Sequence, residues 1–375
     1  MGGGGSGKVA YGSQLVRKGW MAEGLLQAAA KSFWAPYKGT SFDSIITVVN
    51  DISKKAGHEV IFDFDGNLSG KAIKGNSTAK GKGEQKKKFS DNVKVSDYRY
   101  VVDNGTKFDG VNIGDLKINE HSDSRTKLAD LWIRSEDQAY FDLAQQTAQF
   151  GINLTAATFD AILEVEEAVK NGTGYDVNPA GITTRLPLTP FKMANGDPVW
   201  IWMMDVSFKR KFLSSTGIQS LLAQGDFRGN ENRLFKGVIG RIGNFIFVEA
   251  PVFMGTTTGA ILTDGYYNYD NNEVEIAGLR KKDKTTGKWQ GETGYVASNP
   301  QVSRSVILGA SAFQKANGLA PDYKWEATDF DKFSESCLEV WCGAKATKLL
   351  AENADQKVGK VAGYSYSNIF VDIEL

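Results

Sequence analysis

The glycine-rich segment "MGGGGSGKVAYG" contains the first residue spacing that could do chemistry. Gly2 to Lys8 fits G-x-x-x-x-G-K, the pattern of a loop that cradles phosphate groups. Such a loop needs Ser or Thr directly after the lysine to hold magnesium, and Val9 stands there instead. Glycine-rich chains are also flexible. We therefore interpret this segment as a flexible arm and predict no nucleotide site in it.

Histidines and cysteines are too few and too isolated to form a reactive cluster. The chain has two histidines, His58 and His121, and neither accompanies a nucleophile motif such as G-x-S-x-G. The five-residue spacing of Cys337 and Cys342 places them on different faces of a helix or opposite faces of a strand, which disfavours a local disulfide. Two thiols without a nearby histidine also make a poor zinc site. The sequence predicts reduced cysteines and no catalytic, metal or cofactor site.

The overall charge of the chain does not steer it toward nucleic acid or acidic membranes. The 375 residues are enough for two or three lobes, and 44 Lys and Arg balance 44 Asp and Glu. No apolar run reaches 18 residues, and the first residues lack the apolar core of a signal peptide. We expect a protein made in the cytosol with no membrane partner.

A long basic segment interrupts a predicted pair of strands. The alternation in "HEVIFDFDG" predicts the entering strand, and the β pattern resumes at Val93. The apolar face of the first strand comprises Val60, Phe62 and Phe64. Asp63 and Asp65 resemble the start of a calcium loop, but "DGN" after an alternating strand favours a hairpin turn.

The segment between these strands cannot form a core of its own. From Lys71 to Lys88 it carries seven lysines and one glutamate, with hardly any apolar side chain. Unstructured loops of this length in compact domains are usually functional. A solvated surface insertion and a nucleic-acid patch stay open as alternatives, although the aromatic side chains that stack on bases are missing.

Two helices are predicted after this loop. The first covers 124–150, with Asp123 or Ser124 as its cap and Gly151 as its end. Its apolar stripe comprises Leu128, Leu131, Trp132, Ala139 and Leu143. The second covers 158–170, capped by Thr158 and stopped by "NG". Its predicted inward side chains are Phe159, Ile162, Leu163 and Val169.

The second half of the chain is predicted to be mostly strand and loop. Residues 198–208 form a buried strand, and 233–253 contain another. A hairpin turn is expected around Thr285–Gly287. Residues 303–318 predict a strand and a short helix, and 367–375 a final strand.

This order of elements resembles the Hong Kong 97-type fold of tailed-phage major capsid proteins. It is most similar to the phage capsid family that includes the N4-like major capsid proteins. The stretches that carry the resemblance are "AGHEVIFDFDGNLSGKAIKGN", "RYVVDNGTKFDGVNIGD", "NRLFKGVIGRIGNFIFVEAPVF", "SVILGASAFQKANG" and "KWEATDFDKFSESCLEVWCGAK". They lie in the expected order along the chain.

The resemblance implies an α+β protein with an N-terminal arm, an extended β-hairpin loop, a peripheral domain with a long spine helix, and a β-rich axial domain. The implied boundaries are 1–40 for the arm, 41–60 for the first part of the peripheral domain, 61–93 for the extended loop, 94–190 for the rest of the peripheral domain with spine helix 124–150, 191–324 for the axial domain with a polar excursion at 264–299, and 325–375 for the return to both domains.

The resemblance also implies the function. Hexamers and pentamers of this chain would form the icosahedral head around double-stranded DNA, bound without sequence specificity. Portal, scaffolding and decoration proteins are the other implied partners, and the head would be assembled in the host cytoplasm. No cofactor and no enzymatic activity are implied. Two alternatives are a non-viral compartment shell of the same fold, and a nucleotide- or nucleic-acid-binding enzyme that uses Gly2–Lys8 and the lysine-rich loop.

Two sets of residues are candidates for contacts between subunits. Apolar side chains of the arm have no obvious place in a β-rich core and are expected to dock on a neighbour: Leu25, Leu26, Phe33 and Trp34. Lysines of the loop lack acidic partners nearby and are expected to meet carboxylates on the spine helix of an adjacent copy. The lysines are Lys80, Lys82, Lys86, Lys87 and Lys88, and the carboxylates are Glu136, Asp137 and Asp142.

Overall fold

The computed structural model describes most of the chain from residue 32 onward. The described residues are 32–50, 57–65, 71–75, 77–84, 88–106, 120–177, 185–192, 198–215, 217–218, 238–251, 253–255, 275–292, 294–329, 333–348 and 365–375. Most of the implied arm 1–40 and of the "DGN" turn, and all of Gly2–Lys8, lie outside them.

The described elements alternate between strands and a few helices. The helices are α1 (Glu120–Gln146), α2 (Phe159–Asn171) and α3 (Val206–Leu213), with a 3-10 turn at Ala35–Tyr37. The strands are β1 (Lys38–Gly39), β2 (Ile46–Asn50), β3 (Glu59–Asp65), β4 (Lys88–Lys94), β5 (Ser96–Thr106), β6 (Phe150–Leu154), β7 (Tyr175–Asp176), β8 (Phe191–Lys192), β9 (Pro198–Met204), β10 (Val238–Ile242), β11 (Phe245–Glu249), β12 (Phe253–Gly255), β13 (Glu275–Ala277), β14 (Lys281–Asp283), β15 (Gln301–Leu308), β16 (Phe313–Asn317), β17 (Asp322–Thr328), β18 (Phe333–Ala346) and β19 (Asn368–Glu374).

Two sheets contain most of these strands. The first has the order β1-β2-β16-β18-β17, with β5 also paired to β18. The second has the order β10-β11-β9-β15-β19-β6-β7, with β8 beside β9 and β14 beside β15. Strands β12 and β13 form a pair, and so do β3 and β4. The mixed helix-and-sheet fold confirms the predicted α+β class.

The long predicted helix is present but begins and ends four residues earlier than predicted. It runs as α1 from Glu120 to Gln146 and so includes His121, which was placed before it. The side chains of Thr147 and Asn368 bond to the last-turn carbonyls of Leu143 and Ala144. Gly151 was wrongly predicted to end the helix. It lies in β6, where a Cβ would sit 2.1 Å from the Tyr175 ring.

Helix α2 agrees closely with its prediction. The Thr158 side chain accepts a hydrogen bond from the Ala161 amide, and Gly172 ends the helix in the left-handed conformation. Two of its apolar positions were misplaced, because Phe159 and Leu163 are 38% and 47% exposed. Both lie away from the face that packs on the sheet.

Two predictions in the second half are wrong. Residues 198–208 are not one strand, because Asp205 accepts from the Phe208 amide and begins α3. Residues 303–318 contain no short helix but a second strand, β16, which pairs with β2 and β18. The turn at Thr285–Gly287 and the final strand β19 are confirmed.

The hydrophobic core lies on both sides of the larger sheet. One cluster joins α1 to both sheets and contains Tyr140, Phe141 and Phe313. The other packs α2 and α3 against Trp200 and Trp202 on the opposite face. Helix α1 is thus the element that holds the two sheets together. The base of the hairpin β3–β4 packs on β16 and β18 of the six-stranded sheet.

Candidate assembly surface

The β3–β4 hairpin is the element most distinct from the body, and its base is well anchored. The two strands pair antiparallel from Glu59 opposite Lys94 to Asp65 opposite Lys88. The predicted alternation is confirmed at this base, where Val60 and Phe62 are buried and Ile61 is exposed. A small apolar cluster joins the base to β16 through Val60, Phe62, Val93, Val95 and Ala316.

A close backbone crossing sets the position of the hairpin base on β18. A Cβ at Gly343 would lie 2.1 Å from the carbonyl oxygen of Lys94, so only glycine permits this approach. Next to it, buried Lys345 is paired with Asp91 and donates to the Asn92 carbonyl at 2.9 Å. The Lys348 amide donates to the same Asp91 carboxylate at 2.9 Å. The base of the hairpin is therefore held in a defined orientation on β18.

The described part of the hairpin tip faces solvent. Lys71, Lys74, Lys80 and Lys82 are all exposed, and Ile73 between them is 40% exposed. Among the remaining predicted contact lysines, Lys86 and Lys87 lie outside the described residues. Lys88 is described only by its backbone, as the first residue of β4.

The aromatic pair predicted to dock on a neighbour packs inside its own subunit. Trp34 is fully buried and Phe33 is 5% exposed. Trp34 lies 5.0 Å from Phe141 and 6.0 Å from Phe313, measured between ring centroids. The prediction for these two side chains is wrong, because the 3-10 turn folds them onto α1. Leu25 and Leu26 lie outside the described residues.

Glu136, predicted to face a neighbour's lysines, is buried and already paired. Its carboxylate forms salt bridges with Lys38 of β1 and with Lys315 of β16, the latter at 2.7 Å. Burial alone would raise the pKa of Glu136, but Lys315 and Lys38 outweigh it and lower the pKa to about 2. This carboxylate therefore joins α1 to the six-stranded sheet and offers nothing to another chain.

Asp137 and Asp142 are likewise occupied within the subunit. Asp137 accepts from the Ser32 hydroxyl at 2.7 Å and the Phe33 amide at 2.8 Å. Burial raises the pKa of Asp137 to about 6, against the opposing hydrogen bond from Ser32. Asp142 pairs with buried Arg280 and accepts from Gln138 at 3.0 Å. The expectation that the three helix carboxylates receive the loop lysines is wrong, because each is covered by its own chain.

Several residues that hold this arrangement were missed by the sequence reasoning. Lys38, Lys315, Arg280, Asp91 and Lys345 each pair with a partner far along the chain, so no local pattern marks them. Gly343 was also missed, although a lone glycine inside a strand pattern signals a close backbone approach. That signal was present in "EVWCGAK".

Comparison with known proteins gives a consistent picture. The family model for phage capsid protein matches residues 8–169, which include the hairpin and α1. The capsid structure of Helicobacter pylori bacteriophage KHP30 has a TM-score of 0.66 at 14% identity, covering 100% of this chain and 95% of that one. The capsid of Ralstonia phage GP4 has a TM-score of 0.59 at 16% identity, covering 91% and 90%. A search of curated proteins finds no significant match.

The chain is similar to phage capsid proteins over residues 8–169, which is less than half of its length. Its fold is the Hong Kong 97-type fold that the sequence predicted. The family match and the fold together favour a structural subunit of a phage capsid. This similarity also favours self-assembly and a place in the virion capsid.

Both cysteines of the chain lie within the described residues. Cys337 and Cys342 are free thiols on β18, and Cys342 is buried. No cluster of three or more His, Cys, Asp or Glu in these residues could hold a metal ion. None of the described helices is both long and apolar enough to cross a bilayer.

Proposed function

We propose that this chain is a capsid protein that assembles into hexameric and pentameric capsomers, which enclose the double-stranded DNA of a tailed phage. The observation that carries this is the hairpin, whose base is locked by Gly343 and Lys345 while its basic tip faces solvent. A hairpin with a rigid base and an exposed, charged tip is better suited to contact another chain than to contact its own subunit. Closed rings of such head-to-tail contacts build capsomers and shells.

The regions would then have separate roles in the lattice. We assign the extended loop 61–93 to the surface of a neighbouring subunit. Residues 41–60 and 94–190, with α1 as the spine helix, form the peripheral domain. Residues 191–324 form the axial domain at the capsomer centre, including the excursion 264–299, and 325–375 return to both domains.

Other partners follow from the same role. Portal, scaffolding and decoration proteins would bind the shell, and assembly would take place in the host cytoplasm. The balanced charge of the chain, 44 basic against 44 acidic residues, favours close packing of many copies. It also fits packaged DNA that is enclosed without sequence-specific binding.

Electron microscopy of the purified full chain tests this proposal. We expect closed particles, and their formation should weaken as salt rises through about 0.1–0.5 M, because screening reduces contacts made by lysines. Reversing Lys86, Lys87 and Lys88 to Glu together should block or destabilise particles while circular dichroism stays unchanged. A matched control reverses two exposed lysines away from the hairpin, Lys284 and Lys288. Normal particles from the triple variant at low and high salt would show that these lysines make no assembly contact.

A further inference from the structure

One face of the six-stranded sheet carries a groove that none of the described residues fills. The groove has a volume of about 590 Å³ and lies across β5, β18 and β17. Val101 on β5 stands directly opposite Cys337 on β18, so the side chains of both face the groove. Val101 is 56% exposed and Cys337 is partly exposed. The floor is therefore apolar and open to solvent.

The rim of this groove is negatively charged. Glu326 on β17 stands opposite Glu335 on β18, and Glu335 stands opposite Asp103 on β5. Like charges directly opposite on neighbouring strands repel. The two cations of the groove, Arg99 and Lys324, are both paired with Glu339 instead. The row at Glu326 and Glu335 therefore presents negative charge outward.

The hairpin tip has the complementary pattern. In "KAIKG" the exposed Ile73 lies between the exposed lysines Lys71 and Lys74. An apolar side chain flanked by two cations matches an apolar floor flanked by carboxylates. Tip and groove do not cover each other within one subunit, since Ile73 and Val101 are both exposed there.

We propose that residues 71–74 of one subunit dock into the groove between β5, β18 and β17 of a neighbouring subunit. Ile73 rests on Val101 and Cys337, and Lys71 and Lys74 lie beside Glu326 and Glu335. This inference rests on the proposed function, because it names the surface that receives the hairpin. It also replaces the α1 carboxylates, which are buried, as the partner of the basic tip.

A disulfide test uses the native thiol in the groove. Cys337 lines the groove and is partly accessible, whereas Cys342 is buried. The substitution Ile73→Cys should place a second thiol within bonding distance of a neighbour's Cys337. Copper-phenanthroline then removes two electrons and two protons from the thiol pair. Since burial and Glu339 raise the pKa of Cys337, the oxidation is run above pH 8.

The docked arrangement predicts covalent dimers and larger ladders from Ile73→Cys particles on a non-reducing gel. The ladders should disappear when Cys337→Ser is added, and they should not form from Leu163→Cys, an equally exposed position on α2. If parent and Ile73→Cys particles form but no ladder appears, the docking site is wrong and the proposed function stands. If the full chain forms no particles at all, the proposed function fails and the docking site with it.

A charge swap provides a second, independent test. Glu326→Lys with Glu335→Lys should reduce particle yield, and so should Lys71→Glu with Lys74→Glu. Combining all four changes should restore the yield, since the charges are exchanged across the contact. Reversal of Glu164 and Glu167, exposed on α2, is the matched control and should leave the yield unchanged. Two results would overturn the proposed charge pairing between tip and groove. Either both reversals leave the particle yield at the parent level, or the combined variant does not restore a lost yield.

Discussion

Charged side chains serve opposite purposes in helix α1 and at the tip of the β3–β4 hairpin. On α1, Glu136 and Asp142 are buried and each meets a cation from a distant strand or loop. At the tip, Lys71, Lys74 and Lys80 are exposed. Buried pairs that are broken cost a subunit much of its stability, whereas exposed charges contribute little to folding. We therefore expect α1 to determine whether the subunit folds and the tip to determine whether it assembles.

The largest expected effect comes from breaking the pairing at Glu136. Glu136→Ala leaves Lys38 and Lys315 buried without their shared anion, so we expect a loss of about 3–5 kcal/mol in the free energy of unfolding. Urea unfolding followed by circular dichroism measures it. The exposed Glu164→Ala is the matched control and should change stability by less than about 0.5 kcal/mol. If the two variants lost equal amounts of unfolding free energy, buried pairing on α1 would not be what stabilises the subunit.

A pH dependence at Asp137 should be the next largest effect. Its pKa of about 6 in the folded subunit exceeds the ordinary value of 3.8, so the folded state binds a proton more tightly. The stability associated with this group is therefore present below pH 3.8 and is lost as pH rises through 6. The loss amounts to about 3 kcal/mol at 1.36 kcal/mol per pH unit.

The variant Asp137→Asn should remove this slope. We expect the difference in unfolding free energy between parent and variant to change between pH 4.5 and pH 7, as measured by urea titrations at several pH values. Asp43→Asn, at an exposed aspartate, should leave the slope of the parent unchanged. A variant Asp137→Asn with the parent's slope would show that this carboxyl is not perturbed by burial.

A smaller effect is expected where the two regions meet. Gly343→Ala would place a Cβ against the Lys94 carbonyl, so the hairpin base must shift. Overpacking of this kind costs about 1–3 kcal/mol, and the redirected hairpin should lower particle yield as well. Thermal unfolding and sedimentation measure the two effects. Gly83→Ala at the tip, where a Cβ meets nothing within 4 Å, is the control. An unchanged particle yield from Gly343→Ala would show that assembly does not depend on the direction of the hairpin.

The smallest effect on folding is expected at the tip itself. Lys80→Ala with Lys82→Ala should change the melting temperature of the unassembled subunit very little, because exposed substitutions stay within about 0.5 kcal/mol. Differential scanning fluorimetry of the dissociated subunit is sufficient. A clear loss of thermal stability would mean that the tip packs on its own subunit. The tip would then contribute to folding, as α1 does.

Local patterns predicted much of the fold. Alternation predicted the strand at Val60 and Phe62, and the cap at Thr158 with the stop at Gly172 predicted α2. The same rules failed where distant residues decide the outcome. The segment "SAFQKANG" was predicted as a helix, yet it forms β16 because β2 and β18 supply its backbone hydrogen bonds.

The contact candidates show the same limit. Glu136 and Asp137 have the residue types of an exposed helix face, and only their partners at Lys315 and Ser32, far away in sequence, bury them. Trp34 has no local signal for the core, but the 3-10 turn brings it against Phe141. Lys80 and Lys82 were predicted to be exposed. The composition of their own segment was sufficient for this prediction.

Removal of the hairpin tip tests the central claim most directly. Asp65 stands opposite Lys88, so an Asn-Gly turn can join them in place of residues 66–87 and leave the anchored base intact. Electron microscopy and sedimentation then compare this variant with the full chain. We predict closed particles from the full chain and a folded subunit without particles from the variant, with the same circular dichroism in the core. Particles of normal shape and yield from the variant would contradict the claim that the hairpin builds the shell.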